Sequence, residues 1–259
     1  MYFPGTTDSI RINGVRPTNV MTVSQWLKAP SSGHGFSYSI ATLGANTDWA
    51  GFSMYHANAN SLQFQIQTSD TPYVTTSINI NDNTWHHVMG VYNGSDIRIY
   101  LDGVEQGSPT SVTGDITYRS DDIVDIGSYS NGSLDFNGNI SNTAMWHRAL
   151  TQDEILRVYN GGSPGDLTNL GPTGWWSLGA DSYFDGADWI CPDLSTNSNN
   201  GTSVNLGADD LVGDGPDSLA NGTSTNLDLG SDLIGEAPGS TGNAISINMN
   251  SLARTGSTP

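Results

Sequence analysis

The segment Thr84-Trp85-His86-His87-Val88-Met89-Gly90-Val91-Tyr92, continued by Ile97-Arg98-Ile99-Tyr100-Leu101-Asp102-Gly103, constrains this fold more than any other stretch of the chain. By the two-residue period of a strand, Trp85, His87, Met89 and Val91 share one face, and Ile97, Ile99 and Leu101 resume the alternation. Asn93-Gly94-Ser95-Asp96 supplies turn residues between them. Asp102-Gly103 makes the next turn, because glycine accepts positive φ and aspartate tolerates it. An antiparallel hairpin with one buried face follows, and no reaction chemistry is written into it.

The rest of the chain repeats that pattern. Segments 3–12, 21–28, 36–43, 51–55, 62–68, 74–80 and 122–126 are short, alternating, and bounded by Gly, Asn, Ser or Pro. With 31 Gly and 11 Pro in 259 residues, the chain reads as many strands joined by tight turns, and it is long enough to bury a core. The expected fold is all-β, a two-sheet antiparallel jelly-roll sandwich with one short helix and a C-terminal strand-repeat tail. A helix is predicted within the segment Ala149 to Tyr159. Thr151 can cap it, with Glu154 three residues on completing a capping box and Leu150 with Ile155 forming a hydrophobic staple. Asn160-Gly161-Gly162 stops it.

The formal net charge is −18, and Lys28 is the sole lysine. No basic patch is available to displace counterions from phosphates, so a nucleic-acid partner is excluded. The acidic excess admits two readings, solubility through self-repulsion or ligation of a divalent cation by clustered Asp. Cys191 stands alone and forms no internal disulfide. No stretch approaches about 20 apolar residues, and Met1-Tyr2-Phe3-Pro4-Gly5 has no signal-peptide character, so a soluble chain without a membrane partner is expected.

Composition shifts after residue 160. Residues 161–259 hold 12 acids against one base, whereas residues 1–160 hold 14 acids against seven bases. The expected organisation is a jelly roll over 1–160, a linker over 161–174, a Trp strand and loop over 175–199, and three acidic repeats over 200–259. The repeats begin at Asn200, Asn221 and Asn243, each with one short alternating strand, and no copy could bury a core alone. Leu206, Leu227 and Met249 are their expected assembly residues. A disordered acidic tail is the alternative.

Catalysis finds no support, because Glu105, Glu154 and Glu236 are isolated in sequence whereas glycoside hydrolysis needs paired carboxylates; the chain is expected not to be an enzyme. His86 and His87, adjacent on a strand, point to opposite faces and do not share an ion, and His87 is expected to face the core beside Trp85. Trp175, Trp176 and Trp189 are candidates for stacking on a sugar or for a subunit contact. Asp209, Asp210, Asp214 and Asp217 lack EF-hand spacing.

Four motifs in order give the chain a family likeness. Phe3 to Ile10, Thr22 to Lys28, Trp85 to Gly103, and Phe136 through Ile155 resemble the motifs of the laminin-G-like, concanavalin-type jelly-roll domains. The resemblance implies the sandwich fold, and it implies a Ca²⁺ site, with Asp8 matching an acidic residue of the family's opening motif and Asp135 in a loop that could come near it. Trp175-Trp176-Ser177-Leu178 and the loop from Asp193 to Thr202 resemble a strand and loop that in the family precede the opening motif. Coming last here, they imply a permuted strand that completes this sandwich's edge or is donated to a neighbour. The order of jelly roll, Trp strand and acidic repeats also resembles virion proteins of marine tailed phages. That likeness implies a non-enzymatic virion surface protein, a capsid decoration or fibre component, whose partners are other virion proteins and copies of itself. The alternative is a carbohydrate-binding adhesion module on a cell surface or viral tail fibre, with a host-surface glycan as partner.

Overall fold

What reads as one strand over 3–12 is two. Gly5 and Thr7 both sit at positive φ, 78° and 74°, and the turn they make sends β1 (Tyr2–Pro4) and β2 (Ser9–Asn13) into different sheets. The structure is a computed structural model that describes residues 1–210 apart from 6, 18, 32–35, 43–49, 59–60, 69–72, 77–79, 119–122, 130–133, 180 and 208–209. The chain continues through β3 (Met21–Lys28), β4 (Ser37–Thr42), β5 (Phe52–Asn58), β6 (Ser61–Ile66) and β7 (Tyr73–Thr76). The hairpin follows as β8 (Trp85–Tyr92) and β9 (Asp96–Leu101), then β10 (Val104–Ser111), β11 (Ile123–Ile126) and β12 (Asn137–Trp146). After helix α1 (Gln152–Tyr159) come β13 (Gly174–Trp176), β14 (Tyr183–Phe184), β15 (Trp189–Cys191) and β16 (Gly201–Val204).

These strands form two antiparallel sheets packed face to face. A seven-stranded sheet runs β1-β12-β3-β8-β9-β10, with β13 also paired to β12, and a nine-stranded sheet runs β14-β15-β16-β2-β11-β4-β5-β6-β7. Between them lies the main core. Val23, Leu27, Val88, Tyr92, Ile97 and Ile99 of the first sheet meet Ile10, Ile40, Phe52, Met54, Phe64 and Val124 of the second. Gly90 is required there, since a Cβ at that position would lie 2.5 Å from the Phe64 ring of the opposite sheet.

The outer face of the seven-stranded sheet is also buried. Met89, Val91, Tyr100, Ala144 and Trp146 project onto α1 and pack with Leu150, Ile155 and Val158. The expected capping box is present at Thr151 and Glu154, and Asn160 ends the helix in the left-handed region. The face of β8 that carries His87 and Met89 is therefore the outer one, against the expectation of a core-facing His87. Alternation shows which residues share a face but not which face points inward, and here both are covered. His87 is fully buried against Trp26 and Tyr159, while Trp85 is only half-buried.

The segment 161–174, read from composition as a linker, contributes Leu167 and Leu170 to this second core, and the Trp146 indole N–H donates to the Leu170 carbonyl at 3.1 Å. β13 then pairs with β12 in the register Thr143 to Trp176 and Ala144 to Trp175. Among the described residues no helix is long and apolar enough to cross a membrane.

Candidate functional site

The outer face of the nine-stranded sheet bears a stack of aromatic rings. β4 carries a bulge between Tyr38 and Ile40, so Ile40 enters the core while Tyr38 projects outward beside its register partner Tyr55 on β5. Tyr38 is stacked on both sides, at 4.9 Å against Tyr55 and 4.8 Å against Tyr129, with interplanar angles of 22° and 27°. Phe36 closes the group, its ring 5.5 Å from Tyr38 and 5.2 Å from Tyr55. Tyr38 and Tyr55 are buried, and burial pushes the Tyr38 phenol well above its ordinary range, with Tyr55 and Tyr129 adding to the effect. What the stack presents outward is Phe36, 45% exposed, and the half-buried Tyr129, beside Leu134, 43% exposed.

Polar groups of two kinds surround the stack. On β6 the half-buried Gln63 accepts a hydrogen bond from the Tyr55 hydroxyl through Oε1, which leaves its Nε2 amide to donate elsewhere. Gln65 lies two residues on, on the same face. Farther across the sheet, Arg11 of β2 donates from Nε and Nη2 to the two carboxylate oxygens of the buried Asp125 of β11, each at 2.9 Å. That bidentate pair raises the Arg11 guanidinium pKa against its burial. Asp125 stands opposite Ala41, which packs with Tyr38 and Tyr55.

Asp135 lies at the end of the stack, where it bridges to Tyr38, whose N–H donates to the Leu134 carbonyl at 2.8 Å. Its Oδ2 accepts the Thr7 N–H at 2.8 Å, and its Oδ1 is buried without a partner. Burial, with the nearby Asp8 carboxylate, raises the Asp135 pKa. Thr7 and Leu134 flank it at φ of 74° and 59°, positions that a branched side chain rarely takes. Two carboxylates with an orphaned oxygen between strained loops suit a hard cation in kind. Six to eight oxygens are needed for Ca²⁺, so carbonyls would have to supply most of them. Among the described residues no three His, Cys, Asp or Glu side chains converge on a metal position.

The residues singled out from the sequence fall elsewhere. Trp176 is fully buried in the main core, where its indole N–H donates to the Asn199 carbonyl at 2.9 Å, and Trp189 is also buried, donating to the Gly207 carbonyl. Neither ring has a face free for a sugar. Trp175 is half-buried on the helix side, its backbone N–H held by Asp193 Oδ1 at 2.9 Å. Leu206, assigned to assembly, instead lies in this chain's own core, because β16 pairs with β2 and carries it inward. Leu227, Met249, Asp209, Asp214 and Asp217 lie outside the described residues. Asp210 accepts the Gly207 N–H at 2.7 Å. Of the three Glu, Glu105 pairs with Arg98 and Glu154 caps α1 and pairs with Arg148, while Glu236 lies outside the described residues.

A family model described as the Concanavalin A-like lectin/glucanases superfamily matches residues 4–156. Among solved structures, the chain is similar to a putative carbohydrate binding protein from Bacteroides ovatus, with 17% identity and a TM-score of 0.57, covering 76% of this chain and 58% of that one. It is also similar to a heptameric SAP-like pentraxin from Limulus polyphemus, with 25% identity, a TM-score of 0.47, and coverage of 61% and 80%. A third likeness is to domain 4 of a GH43 extracellular arabinanase from Geobacillus stearothermophilus, with 16% identity, a TM-score of 0.49, and coverage of 61% and 75%. No curated protein matches the chain. The Bacteroides likeness shows the sandwich fold.

Proposed function

The chain belongs to the Concanavalin A-like lectin/glucanases superfamily, and from that premise we propose that it is a non-enzymatic glycan-binding module whose ligand meets the outer face of the nine-stranded sheet at Phe36 and Tyr129. The observation that carries this reading is the aromatic stack: a sheet face that ends in rings and side-chain amides matches a pyranose, whose C–H face packs on aromatic carbon while its hydroxyls pair with amides. The two described glutamates are committed to Arg98 and to the helix cap, which favours binding over hydrolysis.

In this reading Asp8 and Asp135 hold a calcium ion that fixes the end of the stack. Retardation of the full chain in gels containing soluble polysaccharide is expected to be lost in Phe36→Ala and Tyr129→Ala and kept in Trp175→Ala, and to weaken when the gels contain EDTA. Retardation indifferent to both platform substitutions would remove the site from the proposal; indifference to EDTA would remove only the calcium.

A second reading, display on a virion surface with the repeats that begin at Asn221 and Asn243 as the assembly element, is favoured by their likeness to the copy that begins at Asn200. It expects the full chain to sediment as a symmetric oligomer, and a monomer across the accessible concentration range would end it.

A further inference from the structure

The charge on the stack's surroundings is one-sided. On β2, β4, β5, β6 and β11 the charged residues are Arg11 and Asp125, and they neutralise each other; His56 packs on the inner side against Phe136. Bridged to Tyr38 stands Asp135, and near it Asp8, both acids. The hydrogen-bonding side chains that the described part of this face offers, the half-buried Gln63 and Gln65, are uncharged amides.

We infer that this face selects a neutral polysaccharide and rejects uronate-bearing, sulfated and sialylated chains, an inference that rests on the glycan-binding reading above. A carboxylate or sulfate brought against Phe36 and Tyr129 finds Arg11 already taken up in a bidentate pair, and in the calcium-free chain Asp135 and Asp8, at the end of the stack, are like charges to it. No cation on those five strands is left to recover the desolvation of an anionic ligand. A neutral pyranose meets none of this repulsion. Its hydroxyls find amide partners, and its apolar face finds rings already fixed by stacking on one another, so little freedom is lost on binding.

The test is affinity electrophoresis of the full chain through neutral polysaccharides (mannan, xylan, mixed-linkage glucan, debranched arabinan) and anionic ones (alginate, polygalacturonate, carrageenan, colominic acid), at low and at physiological ionic strength. Retardation is expected in at least one neutral gel and in no anionic gel at either ionic strength, and Gln63→Ala is expected to weaken the neutral interaction about tenfold through one lost hydrogen bond. An anionic chain bound at physiological ionic strength, with binding lost in Phe36→Ala, overturns the selectivity while leaving the glycan-binding reading in place. Retardation in no gel of either class, or neutral retardation unchanged in both Phe36→Ala and Tyr129→Ala, overturns the two together.

Discussion

A chain ending at residue 165 is expected to show no cooperative unfolding transition. The deletion takes Trp176, Leu178, Trp189 and Leu206 out of the main core, where all four are buried. Truncation of one buried Trp costs about 3–5 kcal/mol and of one buried Leu about 2–5 kcal/mol, so together these losses reach or exceed the roughly 5–15 kcal/mol that holds most domains folded. Two further losses add to this. The edges of β12 and β2 lose the partners β13 and β16, exposing unpaired N–H and C=O groups. Trp146 and Leu150 lose the cover of Leu167 and Leu170, along with the hydrogen bond from the Trp146 indole. Near-ultraviolet circular dichroism and urea unfolding of the truncated chain read the outcome, and Trp176→Ala in the full chain, expected to lose about 3–5 kcal/mol, gives a folded comparison. A truncated chain that unfolds as sharply and at the same urea concentration as the full one would make residues 166–259 a passive extension.

The fold class was legible because period-2 alternation, turn residues and a capping box are local signals, and each was strong in this chain. β3 and the helix lie where alternation and capping predict them. Three things were hidden for physical reasons. The break between β1 and β2 depends on Thr7 at positive φ, which no β-branched residue advertises. The inward direction of β8 was not readable, because α1 and the strand pairings bury both of its faces. The aromatic stack escaped notice because a bulge reverses Tyr38 relative to Ile40, so that strict alternation would send both to the core, and because Tyr129 arrives from a different part of the sheet. Size alone marks the tryptophans in the sequence. Two of the three then proved to be core, which is the ordinary fate of large rings on short strands in a sandwich.

Acid is expected to destabilise the protein between pH 6.5 and pH 4, with His87 contributing about 3 kcal/mol. His87 lies wholly buried between Trp26 and Tyr159, with Ser24 Oγ 2.8 Å from Nε2 and its Nδ1 without a partner. Burial holds its pKa down to about 4 against an ordinary 6.5, and the Asp102 carboxylate only partly offsets that. A group whose folded pKa is depressed contributes stability that is complete above the unfolded value and disappears as pH falls to the folded one. A shift of 6.5 to about 4 at about 1.4 kcal/mol per pH unit gives the figure. Its neighbour His86 works the other way. The hydrogen bond to Asp102 at 2.8 Å, reinforced by Asp82, raises its pKa despite partial burial, so its contribution is whole below 6.5 and fades only as pH rises above that. Burial alone would raise Asp102 and Asp82, but hydrogen bonds hold both below their ordinary value of 3.8, and what they contribute is lost only under more acid conditions. Among the described residues, His147, which burial shifts in the same direction, adds to His87 in this window, and Asp135, whose value is raised, opposes them. Urea unfolding across this window is expected to give a steep acid limb in the native chain and a markedly shallower one in His87→Gln, whatever the variant's overall stability. A limb of the same slope in both chains would assign the acid sensitivity to other groups and leave the buried imidazole without that role.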